Sequence, residues 1–299
     1  MSNQLIDIAQ LINQGRLIEA GEQLQNLQGQ VDDKAEFYYQ MARIAFKQDD
    51  YEQTINHLDK AIGEKEDDYR FHELLGQAYG LKAQQAGAVK SAILMGKIRK
   101  AFEKALQYNQ KSIAAKEGLY MFYLFAPGFS GGDPQKAAQL LDQIQQLDEA
   151  HGAISRALGF IKEQKPEAAH EWMQTAANKG KNDSELQLRV GRFFLQQKQY
   201  DKAKQCFEQF IKLQPEDAAG YNSMGEVFLK KNAISDAVNM FNRALEANPF
   251  NAMAYYNRAE AWINLGEFKK AREDYDYITT ELKSSPLAKK AKSALDGLM

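Results

Sequence analysis

A small residue returns every 34 positions in the last third of the chain. Gly191, Gly225 and Ala259 head segments such as "GRFFLQQKQYDKAKQCFEQFIKLQP" and "GEVFLKKNAISDAVNMFNRALEANP". Each is followed by an aromatic three residues on (Phe194, Phe228, Trp262), an alanine twelve on (Ala203, Ala237, Ala271) and another aromatic sixteen on (Phe207, Phe241, Tyr275). Pro215 and Pro249 close two of the units. A period of this length constrains the fold more than any single motif. One such unit cannot bury its own apolar side, so a core forms only where neighbouring units stack.

Within a unit the apolar positions fall at helical spacing. Tyr221, Met224, Val227 and Phe228 make one stripe, and Ala237, Phe241, Ala244 and Leu245 make a second. The small residues let the two helices approach and the aromatics fill the space between them and the next pair. The proline then ends the second helix and turns the chain back. Composition agrees: with 26% charged and 44% hydrophobic residues, only six prolines, and Gln, Ala, Leu, Lys and Glu abundant, an all-α globular chain is expected.

The pattern extends towards the N-terminus. Tyr38, Met41, Ala42, Ala45, Leu58 and Ala61 occupy equivalent positions, and Leu75, Gly76 and Tyr79 start the following unit. Ile8, Leu11, Gly15, Ala20 and Leu24 fit more loosely. Between Gly118 and Ala176 the pattern thins to Tyr120, Tyr123, Ala137, Leu141, Ala157, Phe160, Ala169 and Met173. Gly76 lies 149 residues from Gly225, where four periods span 136, leaving 13 extra residues. About ten are assigned to "LKAQQAGAVKSAIL" and about five to the turn "APGFSGGDP", with a later connection shorter by about two.

That glycine-rich turn invites comparison with a phosphate-binding loop, which needs Lys and Ser/Thr after its last glycine. Asp133 and Pro134 stand there instead. The turn is therefore read as an enlarged connection within a helix pair. Pro127 and Gly128 stop one helix, Gly131 and Gly132 supply unusual backbone angles, and Asp133 caps the next.

The small–aromatic–alanine–aromatic–proline pattern on a 34-residue step resembles the tetratricopeptide repeat (TPR) family. The longer second unit with an APG...GG turn is similar to a group of bacterial TPR proteins, a likeness that implies little about activity. The resemblance implies a right-handed superhelical solenoid of antiparallel helix pairs. Its expected units are residues 1–34 (divergent), 35–68, 69–112 (with an insertion), 113–149 (with the Gly-rich turn), 150–183, 184–217, 218–251 and 252–285, with a capping helix over 286–299 that begins at Pro286.

A concave groove lined by the first helix of each unit follows from the same resemblance. By repeat position it would include Tyr39, Gln40, Arg43, Glu73 and Gln77, then Arg189, Arg192, Asn222, Glu226, Tyr256 and Asn257. Arg, Tyr and Asn suit contact with a peptide or a partner's helix; the plain alternative for each is a solvated helix face. "YYNRAEAW" is similar to a repeat of modules that clamp the C-terminal carboxylate of chaperones, with Asn257 at the asparagine position. The remaining clamp positions are not matched, since Asn222 and Glu226 stand where that clamp has Lys and Asn.

Catalytic chemistry finds no foothold. His57, His72, His151 and His170 lack partners at metal-ligand spacing, so no metal or cofactor is expected. Cys206 is read as a packed thiol, and no nucleotide or hydrolase signature is present. The chain has 38 basic and 40 acidic residues, a net charge of −2, and nucleic acid is not expected as a partner. Residues 80–116 nevertheless hold eight basic side chains against Glu103 alone, including a patch of Lys90, Lys97, Arg99, Lys100 and Lys104. Val89, Ile93, Ile98 and Phe102 are interleaved with them. No apolar run reaches the ~20 residues of a membrane span. The start "MSNQLIDIAQLINQG" lacks the pattern of a secretory signal, so a cytoplasmic protein is expected, or a periplasmic one whose leader has been removed.

The sequence thus predicts a non-enzymatic scaffold or adaptor that holds a protein or peptide partner in its groove. The competing reading is a membrane-associated assembly factor of a bacterial envelope complex that uses the basic insertion.

Overall fold

The computed structural model describes residues 3–283, 285 and 287–298. Among them are seventeen α-helices and a single turn of 3-10 helix, Gly128–Ser130, with no strand. The helices are α1 (Asn3–Asn13), α2 (Leu17–Leu27), α3 (Lys34–Lys47), α4 (Tyr51–Glu64), α5 (Tyr69–Gln84), α6 (Ala88–Tyr108), α7 (Ile113–Phe125), α8 (Pro134–Leu147) and α9 (Glu149–Lys162). There follow α10 (Pro166–Lys179), α11 (Ser184–Gln196), α12 (Tyr200–Leu213), α13 (Ala218–Lys230), α14 (Ile234–Ala247), α15 (Ala252–Asn264), α16 (Phe268–Thr280) and α17 (Ala288–Asp296). The expected start of the last helix at Pro286 lies outside the described residues.

Two kinds of helix start alternate. The first helix of a pair is capped by a side chain: Asp68, Ser112, Asp148, Asp183, Asp217 and Asn251 each accept a hydrogen bond from a backbone N–H of the first turn. The second helix usually follows a residue in the left-handed region. Gly15, Asp49, Gln164, Lys198, Asn232 and Gly266 all have φ between 59° and 82°, and they lie on the same 34-residue step. The step is broken only within the α5–α6 and α7–α8 pairs, which contain the two insertions.

The first insertion does not make a long loop. It lengthens α5 and α6, the latter to 21 residues. The second ends α7 at Phe125 and turns through Gly131, whose φ of 99° is left-handed. Gly132 is needed for a different reason from the one the sequence suggests. It has no positive φ, but a Cβ there would lie 1.9 Å from the carbonyl oxygen of Ala126. Asp133 caps α8 through the N–H groups of Gln135 and Lys136, so its carboxylate fills the place an anion would take.

Contacts divide the chain into two compact units. One comprises Met1–Ile8, Gln23–Lys47 and Tyr51–Gly180; the other comprises Ala9–Glu22, Gln48–Asp50 and Lys181–Met299. In the first, each helix from α3 to α10 packs on the next, and α3, α5, α7 and α9 also touch in series. In the second, α11 to α17 pack in order, while α11, α13 and α15 touch in series. The first helices of successive pairs therefore lie side by side and form one face in each unit.

Glycine and phenylalanine set the spacing within pairs. A Cβ on Gly225 would lie 2.4 Å from the ring of Phe241, and one on Gly191 would lie 2.5 Å from Phe207. Both rings are fully buried. Gly76 meets Phe102 in the same way, the extra residues of the first insertion having moved the aromatic further along the chain.

Candidate functional site

In the second unit, where α11, α13 and α15 share a face, carboxamides join α13 to α15. The Asn257 side-chain amide donates to Asn222 Oδ1 at 3.2 Å and to Glu226 Oε1 at 3.3 Å, while Asn222 donates to the same Glu226 oxygen at 2.9 Å. Asn222 and Asn257 are 35 residues apart, so the network crosses from one helix pair to the next. Glu226 is largely withdrawn from water, and burial pushes its carboxyl above the usual glutamate range, opposed by the charge of Arg192 and by the two amides. Arg192 is exposed and Arg189 is half-buried. Asn222 is thus buried, Glu226 beside it half-buried, and Arg192 exposed. Carboxamides carry both a donor and an acceptor, which is what an extended peptide backbone requires.

Tyr256 is placed differently. Its ring is 9% exposed, packs 5.3 Å from that of Tyr275, and lies 4.4 Å beneath the ammonium of Lys290 from α17. The C-terminal helix thus covers this end of the face, with Ala291 fully buried against the last pair. Arg258, which the sequence reading passed over, forks onto Asp274 at 2.6 and 2.9 Å and reaches Asn242 at 2.7 Å. It ties α15 to α16 and α14. The signal available in sequence was only its place next to Asn257.

The first unit carries a different set of cross-links. Arg70 bridges Glu36 and Asp68, each at 2.7 Å, and Glu36 is 34 residues from it. Gln40, only 1% exposed, donates to Glu36 at 2.5 Å and accepts from Arg43 at 2.8 Å. Tyr39 packs on Phe71 with the Arg70 guanidinium 4.9 Å above its ring, and burial raises its hydroxyl to about 12. Glu73 accepts from Ser112, and His151 Nδ1 lies 3.1 Å from Glu117 across another 34-residue step. Of the five positions named from sequence in this unit, Gln77 alone is exposed. The others sit within a polar network that joins α3, α5 and α7. Arg70 and Glu36 were missed because their pairing shows only once the helices are laid side by side.

The comparisons with known proteins bear on this architecture. Family models described as tetratricopeptide repeat match residues 222–286, and residues 35–68 and 184–217. The chain contains tetratricopeptide repeats. Over 184 residues it is 27% identical to a peroxisomal targeting signal receptor of Saccharomyces cerevisiae, a match covering 57% of this chain and 29% of the receptor. A receptor of the same name from Debaryomyces hansenii is 38% identical over 100 residues, or 33% of this chain and 17% of that one. The matches therefore span less than a third of these curated relatives. Among solved structures, the APC/C hetero-tetramer Cut9–Hcn1 matches with a TM-score of 0.51 at 12% identity, covering 99% of this chain and 55% of that one. An IFIT1 monomeric mutant with Gppp-AAAA matches with a TM-score of 0.50 at 15% identity, covering 93% of this chain and 68% of that one. At these identities the structural likeness speaks to fold.

The remaining polar candidates of this TPR chain have structural surroundings. Cys206 is buried, and that burial pushes its thiol up to about 11, leaving almost no thiolate at neutral pH. His72 is buried with Nε2 2.7 Å from the Glu66 carbonyl and its ring 5.5 Å from Tyr108. Among the described residues no group of His, Cys, Asp or Glu could hold a metal ion, and no helix is long and apolar enough to cross a membrane. The basic patch is partly neutralised: Lys104 pairs with Glu66 at 2.9 Å and Arg99 with Glu103 at 3.6 Å, while Lys97 lies 5.2 Å from the Tyr79 ring centre. Lys90 and Lys100 are exposed.

Proposed function

We propose that the chain is a non-enzymatic protein-interaction scaffold, and that it holds an extended segment of a partner protein along α11, α13 and α15. The observation that carries this reading is the carboxamide network from Asn257 through Asn222 to Glu226, with Arg192 exposed above it. Asparagine amides aimed along a face can exchange their mutual hydrogen bonds for bonds to a peptide backbone, so a segment can be held without leaving those buried amides unpaired. Arg192 adds a fork for a carboxylate of the bound segment. Glu226 accepts from both amides, so a ligand's terminal carboxylate at the same donors would sit beside a second acidic group, which a neutral backbone carbonyl avoids. An internal stretch of chain fits better than a C-terminal tail. The relatives named for reception of a targeting signal agree with peptide capture as the class of activity.

Affinity purification of the intact chain beside an Arg192→Ala/Asn222→Ala/Asn257→Ala variant tests the proposal. Partners should be depleted from the variant while its helical content is retained. Recovery of the same partners in equal amount would place binding elsewhere. The membrane-associated reading gains no support from the family matches.

A further inference from the structure

We propose that the turn between α1 and α2 is a latch, which seats on the corner between α12 and α13 and holds the first turns of α13 in place. Latch and corner belong to the same compact unit. Gly15 is buried there, and a Cβ on it would lie 2.6 Å from Asp217 Cα, 2.9 Å from Asp217 Cβ and 3.0 Å from the Glu216 carbonyl oxygen. The backbone of the turn is therefore pressed directly onto that of the corner. Beside this seat the Arg16 guanidinium pairs with the Glu216 carboxylate at 3.5 Å.

The contact, and not the dihedral angle, is what calls for glycine at this position. Gly15 has a φ of 82°, but Asp49, Gln164, Lys198 and Asn232 occupy the equivalent place in other pairs with φ of 59° or 60° and carry full side chains. Gly266, the equivalent glycine of the last pair, has a φ of 76° and no other segment within 4 Å of its would-be Cβ. Of the two glycines at this turn position, only Gly15 is held against another part of the chain.

The corner under the latch is tied to α13 in two places. Asp217 caps the helix by accepting from the Ala219 N–H at 2.9 Å, and the Tyr221 hydroxyl donates to the Pro215 carbonyl at 2.8 Å. Arg243 of α14 donates in turn to that hydroxyl at 2.9 Å. A displacement of Glu216 and Asp217 therefore reaches the first turns of α13 through its cap and through Tyr221, the residue before Asn222. The charged part of the latch is open to solvent. Arg16 and Glu216 are 43% and 57% exposed, and a cleft of about 470 Å³ lined by both, with Tyr221 and Arg243, adjoins the seat. Salt screens such a pair, so ionic strength shifts the latch between seated and free states. This coupling does not depend on what α13 binds.

Amide hydrogen exchange on the full chain, read by mass spectrometry over residues 9–22 and 214–226, tests the latch. Gly15→Asn keeps a residue that tolerates the left-handed region but sets a Cβ against Asp217, and it should speed exchange in both segments about tenfold. Gly266→Asn, at the same turn position without the contact, should leave both segments unchanged. Arg16→Ala and Glu216→Ala should each speed exchange about two- to fivefold, and the double variant should go no further than Arg16→Ala alone. Sodium chloride at about 1 M should loosen the wild type similarly and leave the double variant unaffected. The proposal is overturned if Gly15→Asn loosens residues 9–22 alone, if it behaves as Gly266→Asn does, or if the effects of Arg16→Ala and Glu216→Ala add. Should Gly15→Asn lower the helical content of the whole chain, the ion-pair variants and the salt series decide by the same criteria.

Discussion

Substituting Gly225 by alanine asks whether a missing side chain sets the spacing of a helix pair. A Cβ there would come within 2.4 Å of the Phe241 ring, which is fully buried. Overpacking of this kind costs about 1–3 kcal/mol. Against it stands the gain of replacing glycine in a helix, about 1 kcal/mol. The net expectation is a loss of about 0–2 kcal/mol. Gly80, inside α5, provides the control: no atom outside its own helix lies within 4 Å of its would-be Cβ, so Gly80→Ala should stabilise by about 0.5–1 kcal/mol. The gap between the two variants therefore isolates the packing term. Urea unfolding followed by helical circular dichroism measures it, with midpoints compared at equal slope. Adding Phe241→Leu to Gly225→Ala should recover part of the loss, because the two side chains compete for one space. If Gly225→Ala and Gly80→Ala stabilise equally, the close glycine–aromatic contact does not exist in solution.

Other expectations follow from single residues. Gln164→Gly and Lys198→Gly should each stabilise by up to about 1 kcal/mol in the same assay, since both non-glycine residues sit at φ near 60°; Asn232→Gly should gain less because asparagine tolerates that region. Glu226 has its carboxyl raised above the ordinary 4.5 by burial, so its stabilising contribution is full at low pH and is lost as pH rises through the folded value. The melting temperature of Glu226→Gln relative to wild type should accordingly rise between about pH 4 and pH 7, and a fall over that window would contradict the burial reading. Arg258→Ala leaves Asp274, 6% exposed, without its fork and should cost about 3–5 kcal/mol by thermal or urea unfolding.

Much of the fold was legible because stacking demands a period. The glycine, alanine and aromatic positions that the sequence repeats are those that contact one another, as Gly191 with Phe207 and Gly225 with Phe241 show. The two insertions could be counted but not shaped. The interleaving of Ile93, Ile98 and Phe102 with lysines suited a helix with its apolar side packed, as α6 has, but nothing in "LKAQQAGAVKSAIL" tells how the extra residues divide between two helices, and the meeting of α6 with the Gly-rich turn depends on packing between distant segments. Gly132 illustrates the limit: its identity signalled a special turn, but the reason, a carbonyl pressed against it, is a contact across the turn. The face residues were legible as positions and not as environments. Repeat spacing brought Asn222 and Asn257 together, whereas the cover of Tyr256 by Lys290 depends on a helix outside the repeat. In the first unit, Gln40 and Glu73 were drawn into networks with Glu36 and Ser112, partners that the period alone does not select.

The central claim is that a partner segment lies along the first helices of the second unit. A photo-crosslinking amino acid placed at Arg192, with a matched control at exposed Asn239 on α14, tests it most directly in intact cells. The account predicts a discrete crosslinked product from the Arg192 position that disappears when Asn222 and Asn257 are changed to alanine, and none from Asn239. Equal labelling from both positions, or a product indifferent to the asparagines, would contradict it.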